Sequence, residues 1–207
     1  MGLRAKIRQL AKALASSLLG EYSFYYIYTC GIEQWRSLTS CTNGFKFATV
    51  EKSQVESSSE TSIREQTLYH GRDCHAYACF DGGRIVGLCY FWHGERYRER
   101  NFWPLATGEA KLVQLITIPQ MRSRSVATHL VAYASGDMFR SGFKRLYARI
   151  WHSNKPSLQA FRHVGWVRIA LVIEAQPLRY GTPFRMTVFT GRPIPRIELR
   201  RQPSRRK

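Results

Sequence analysis

Residues 112–130, LVQLITIPQMRSRSVATHL, constrain the fold more than any other stretch. The first half holds Leu112, Val113, Leu115, Ile116, Thr117 and Ile118, broken only by Gln114 and closed by Pro119. A short apolar run rich in β-branched residues predicts a strand buried on both faces. Pro119 has no N–H to give a ladder and marks the first step out of that strand. After the polar and basic residues 120–125, apolar side chains return at Val126, Leu130, Ala134 and Met138. That four-residue spacing puts them on one helical face, and Ser141-Gly142 supplies a C-terminal stop. The stretch therefore reads as strand, tight basic turn, helix. A helix N-terminus carries unpaired amides and the positive end of the dipole, so beside Arg122 and Arg124 it forms a ready site for phosphate.

Elements of matching type surround this centre. Residues 144–151 (KRLYARIW) read as a further strand, followed by Asn154-Lys155-Pro156-Ser157, then Phe161 and Gly165-Trp166. Upstream, residues 76–80 and 84–91 flank Asp81-Gly82-Gly83, turn chemistry that predicts a hairpin. Residues 45–50 form a plausible first strand, and 167–173 and 185–189 a closing pair. In the polar segment 51–70, Ser62 is a candidate cap for a short helix over 63–68, and Ser57-Ser58-Ser59 reads as a flexible loop. The tyrosine-dense residues 22–30 fit either a helix or a strand.

Arg122-Ser123-Arg124-Ser125-Val126-Ala127 resembles the R/Q-x-x-G-x-G/A motif of the GNAT superfamily, the acyl-CoA-dependent N-acyltransferases. The leading Arg and the final Ala match, whereas Ser125 and Ser123 stand where that family usually has glycine. Asn154-x-x-Ser157, the pair Gly165-Trp166 and the D-G-x-I-V-G-like text from Asp81 to Gly87 agree with the same family in order and spacing. The resemblance implies an α+β fold with a mixed, mostly antiparallel central sheet flanked by helices. It also implies transfer of an acetyl group from acetyl-CoA to an amine on a small molecule or protein, with no metal. By the same resemblance the cofactor contacts fall on the backbone of Ile116 and Ile118, on Arg122, Ser123, Arg124, Ser125, Val126, Ala127 and Thr128, and on Asn154 and Ser157. Many members place a proton-donating tyrosine seven residues after the asparagine. Phe161 stands there, and it cannot donate a proton. The remaining candidates for proton transfer are Gln114 inside the central strand, Glu109 at its start, His152 and His163.

The chain carries a formal net charge of +18, about half of it at the two ends. Such a field favours acidic partners without selecting among them. Residues 1–43 are expected to hold a basic amphipathic helix and a connection, 44–192 the acyltransferase domain, and 193–207 a disordered basic tail. On the helix, Leu3, Ile7, Leu10, Leu14 and Leu18 share a face that fits the domain's own core, a partner, or an anionic membrane surface. Two further readings stay open. One is acyl transfer from an acyl carrier protein. The other is a non-catalytic module holding nucleic acid or membrane through its basic ends. In residues 93–105, Arg96, Arg98 and Arg100 interleave with Tyr97, Phe102 and Trp103, which suits phosphate contact and base stacking but reads first as an exposed connection with buried aromatics. Five cysteines without a C-x-x-C pair point to free thiols in a reducing compartment, the cytoplasm or the inner face of a membrane.

Overall fold

The hairpin is the simplest element to derive. Gly82 and Gly83 both take positive φ (56° and 84°), as a two-residue hairpin turn requires. They join β3 (Cys74–Asp81) to β4 (Arg84–Trp92), and β4 is buried from Ile85 to Trp92 because its run IVGLCYFW has apolar side chains for both faces. This computed structural model describes residues 21–36, 44–176 and 184–190. The expected helix over 2–19 and the tail from 193 lie outside the described residues.

Around the hairpin the chain builds one sheet of eight strands: β1 (Glu21–Gly31), β2 (Lys46–Thr49), β3, β4, β5 (Glu109–Thr117), β6 (Arg145–Trp151), β7 (Val167–Gln176) and β8 (Phe184–Phe189). Their order is β2-β3-β4-β5-β6-β1-β7-β8. Every neighbouring pair is antiparallel except β5 and β6. A parallel pair needs a crossover, supplied here by α3 (Val126–Arg140); the other α-helices among the described residues are α1 (Lys52–Glu56), α2 (Thr61–Arg64) and α4 (Lys155–His163). Among the described residues no helix is long and apolar enough to cross a membrane.

The predicted face of α3 is the buried one. Val126, Leu130, Ala134 and Met138 are at most 1% exposed, packed with α4 and the middle strands. Each large member stabilises the fold by roughly 1.5–3 kcal/mol through burial alone. Gly142 (φ 90°) ends the helix as expected. On the opposite face of the sheet Tyr25, Ile27, Phe102, Tyr147, Ile169 and Val172 form a second layer of core.

One open reading is resolved and one expectation corrected. The tyrosine-dense segment is β1, and it lies between β6 and β7, so the sheet draws a central strand from ahead of residue 44. Pattern alone left it undecided because Tyr28 and Cys30 face the helices while Tyr25 and Ile27 face the other layer, which erases any period of two. Ser62 is not a cap either. It lies inside α2, whose N-cap is Glu60, and the turn before it is tied by the Ser58 hydroxyl, which accepts from the Glu60 N–H.

Candidate active site

β5 and β6 pair only from Glu109↔Arg145 to Leu112↔Ala148. Beyond that point they diverge. On its other side β5 continues along β4, but Tyr90 faces Gln114 while Phe91 faces Leu112, so Val113 is an extra, bulged residue. A bulge bends its strand, and it sits where β5 leaves β6. The resulting cleft, about 180 Å3, is lined on the β5 side by Leu112 to Leu115 and on the other by Arg149, Ile150 and Trp151. Asn154, Ser157 and Phe161 close it from α4, and Arg100 and Phe102 from the connection before β5.

Backbone parity decides what β5 offers to this cleft. The Ile118 N–H donates to the Val86 carbonyl at 3.0 Å, and the alternation of an antiparallel ladder turns Ile116 toward β4 as well. Leu115 and Thr117 therefore present their main-chain groups on the side that β6 has vacated. Consistently, the Leu115 N–H meets the side-chain oxygen of Gln114 at 3.3 Å instead of a β4 carbonyl. The Thr117 hydroxyl is buried with no hydrogen-bond partner among the described residues. Ile116 and Ile118, where the resemblance expects backbone contacts, thus turn their main-chain groups toward β4.

After β5 a short 3-10 turn, Pro119–Met121, leads into the basic loop. Ser123 and Ser125 both adopt the left-handed conformation (φ 64° and 59°). These are the two positions where the resemblance predicts glycine, and the backbone keeps the glycine geometry with serine in place. Ser125 is the N-cap of α3, and its side chain makes no capping bond. Arg122, Ser123, Arg124 and Ser125 are exposed, while Val126 is buried and Ala127 and Thr128 half-buried. The first turn of α3 contains no acidic side chain to occupy its amides. Behind it, Gly87 of β4 permits the close approach, because a Cβ there would stand 2.7 Å from Val126 Cγ1.

The proton-transfer candidates are dispersed. Glu109 lies at the far end of β5, where its carboxylate accepts from Tyr147 Oη (3.1 Å) and the Ala106 N–H (2.8 Å) and faces Arg145 at 3.9 Å. It is a structural anchor. His152 is exposed and its Nδ1 rests 3.1 Å from the Phe24 carbonyl; His163 is exposed on α4; neither lines the cleft. Gln114 does line it, with its amide nitrogen donating to Gln66. Phe161 is packed edge-on against Trp166 and Tyr28. Asn154 both lines the cleft and caps α4 through Ser157 N–H (3.2 Å).

The sequence reading named Arg100 in the basic connection but missed Arg149, the other cation of the cleft. Arg149 projects from β6 to the layer opposite α3, its guanidinium 5.3, 5.5 and 5.4 Å from the ring centres of Tyr25, Phe102 and Trp151. Arg100 stacks over Tyr69 at 4.7 Å and donates to that hydroxyl at 2.8 Å. Lys111 is fully buried between the rings of Tyr97 and Phe102 (4.5 and 4.7 Å). Burial first, then the charges of Arg185 and Arg149, lower its pKa to about 7. The alternation in KRLYARIW marks Arg149 and Trp151 as sharing a face, which was the available signal. Among the described residues no three His, Cys, Asp or Glu side chains gather to hold a metal.

Residues 34–166 match the model of the acetyltransferase (GNAT) family. No curated protein matches the chain. Similar solved structures include an acetyltransferase of the GNAT family from Colwellia psychrerythraea, at TM-score 0.55 and 12% identity, covering 80% of this chain and 60% of that one. A tandem GNAT protein from the clavulanic acid biosynthesis pathway superposes at TM-score 0.52 and 10% identity, with coverages of 81% and 58%. A Drosophila protein does so at 0.51 and 13%, with coverages of 84% and 57%. At such identities the likeness is one of fold, and the chain spans only 57% to 60% of the length of these three structures.

Proposed function

This chain belongs to the GNAT family of acetyltransferases, and from that premise we propose that it transfers an acetyl group from acetyl-CoA to the amine of an acceptor. The observation that carries the reading is the cleft where β5 leaves β6, opening beside a glycine-like basic loop and a helix N-terminus. Acetyl-CoA supplies the activated thioester. The exposed loop 122–125 and the first amides of α3, with Arg122 and Arg124, suit its pyrophosphate. Leu115, with Asn154 and Ser157 across the cleft, and Thr117 just beyond it, whose hydroxyl has no partner among the described residues, would align the amide-bearing arm.

In the reaction a C–N bond forms as the C–S bond breaks, the attacking amine gives up a proton, and the departing thiolate takes one up. Rate then comes from alignment and from charge stabilisation more than from a dedicated acid. With Phe161 unable to donate and Glu109 held by Tyr147 and Ala106, water in the cleft carries the proton to the thiolate.

The test is thermal unfolding with and without acetyl-CoA, for the parent chain and the Arg122→Ala and Asn154→Ala variants. At a hundredfold excess over Kd, linkage stabilises by about 2.7 kcal/mol. Asn154→Ala also removes the α4 cap, about 1 kcal/mol, so the ligand-induced shift is compared rather than the absolute Tm. A shift that both variants diminish supports the reading. No shift at saturating acetyl-CoA refutes it, and acyl carrier protein, nucleic acid and anionic vesicles are then tried in turn.

A further inference from the structure

Resting on the acyl-transfer reading of the cleft, we infer that the acceptor is a small primary amine bearing a carboxylate, gripped by Arg100 and Arg149 with its apolar body against Phe102 and Trp151. Both arginines line the cleft and both are half-buried. The ion pairs among the described residues engage Arg84, Arg98, Arg140, Arg145, Arg185 and Lys52, and include neither of these two. Among the described residues the cleft lining contains no acidic side chain.

Aromatic rings hold both guanidinium groups in place. A ring face orients a cation without neutralising it, so the charge remains for a ligand, with the planar fork of Arg149 and those donors of Arg100 not given to the Tyr69 hydroxyl. That fork matches a carboxylate bidentately. Lys111, behind Phe102, is brought down to about 7 first by burial and then by the charges of Arg185 and Arg149. Arg149 sits in the layer opposite α3, so it is separated from the loop assigned to the pyrophosphate. A cationic pocket has a second consequence. It disfavours an ammonium, holding the acceptor amine in the neutral, nucleophilic form.

The probes are the product-like pair N-acetylphenylalanine and N-acetylphenylalaninamide, which differ in the carboxylate but share a blocked amine. Calorimetric titration of the parent chain is expected to show the acid binding about ten- to a hundredfold tighter than the amide, the range of a charge-assisted hydrogen bond. Arg149→Gln and Arg100→Gln should each erase most of that preference. If Arg149→Gln does not fold, Arg100→Gln and the loss of preference with added salt in the parent chain carry the test. Equal binding of acid and amide, binding of neither at millimolar concentration, or a preference untouched in the folded variants overturns the inference. Acetyl-CoA protection is measured separately, so failure of the transfer reading shows in that titration and not in this one.

Discussion

Replacing Ser125 by glycine should stabilise the protein, although glycine is ordinarily a slightly poorer N-cap than serine. Ser125 holds φ 59° and ψ 15°, and its hydroxyl makes no capping bond. The left-handed conformation costs an L-residue roughly 1–2 kcal/mol and glycine nothing. Glycine gives part of this back through a freer unfolded chain, about 0.4–1 kcal/mol. The net gain is about 0.5–1 kcal/mol, which for a domain of this size raises Tm by roughly 1–4 °C. Two controls isolate the cause. Ser125→Ala removes the hydroxyl but keeps the strain, so it should stay within about 0.5 kcal/mol of the parent. Gln159→Gly, at an exposed interior position of α4, should lose about 0.5–1 kcal/mol. Urea unfolding of all four proteins gives the comparison. If Ser125→Gly is neutral or destabilising while Gln159→Gly behaves as stated, the loop does not hold the glycine geometry and the phosphate cradle built on it fails.

Other substitutions probe the same framework. Gly87→Ala brings a Cβ to 2.7 Å from Val126 Cγ1; it should cost about 1–3 kcal/mol, with most of that recovered when combined with Val126→Ala in a double-mutant cycle. Leu130→Ala, at a fully buried site on α3, should cost about 2–5 kcal/mol in urea unfolding. Lys111 titrates near 7 when folded and near its ordinary 10.5 when unfolded. The unfolded chain therefore binds more protons between those values, and stability rises with pH across that window, by on the order of a few kcal/mol. Lys111→Met should flatten this slope and be more stable than the parent at pH 7; an unchanged slope from pH 7 to 9 refutes the assignment.

Much of the fold was legible because it is written in local chemistry. Gly82-Gly83 can only be economical in a turn, and the four-residue spacing from Val126 to Met138 has one helical solution. Asn154 entered the reading only through the family resemblance, and its role as the α4 cap comes from the structure. What escaped depends on pairing. Which side of β5 the amides of Ile116 and Ile118 face is a question of pairing, and the bond from Ile118 to Val86 turns them toward β4. Glu109 looked available because its partners, Tyr147 and Ala106, come together only when β5 and β6 align. Arg100 and Arg149 are 49 residues apart by number, and no local pattern announces that they line one cleft.

The position of β1 explains how a cleft can open between two strands of a continuous sheet. Past Ala148, β6 loses β5 as a partner, and unpaired main-chain groups would ordinarily draw the strands back together. β1 prevents this from the other side. It pairs with β6 along its whole length, from Gly31↔Arg145 to Tyr25↔Trp151, so the wall bearing Arg149 and Trp151 keeps a full ladder on one edge. β1 is itself held by β7 across Tyr22↔Ala175 to Thr29↔Val167, and Tyr25 Oη donates to Glu174 at 2.6 Å, which also faces Arg185 at 3.5 Å. Tyr25 thus ties the brace to the cleft, because its ring also lies beneath the Arg149 guanidinium. The bulge at Val113 bends one wall away while β1 keeps the other straight. The cleft is consequently a product of strand order, and the segment ahead of residue 44 is as much a part of it as the motif that first drew attention to the chain.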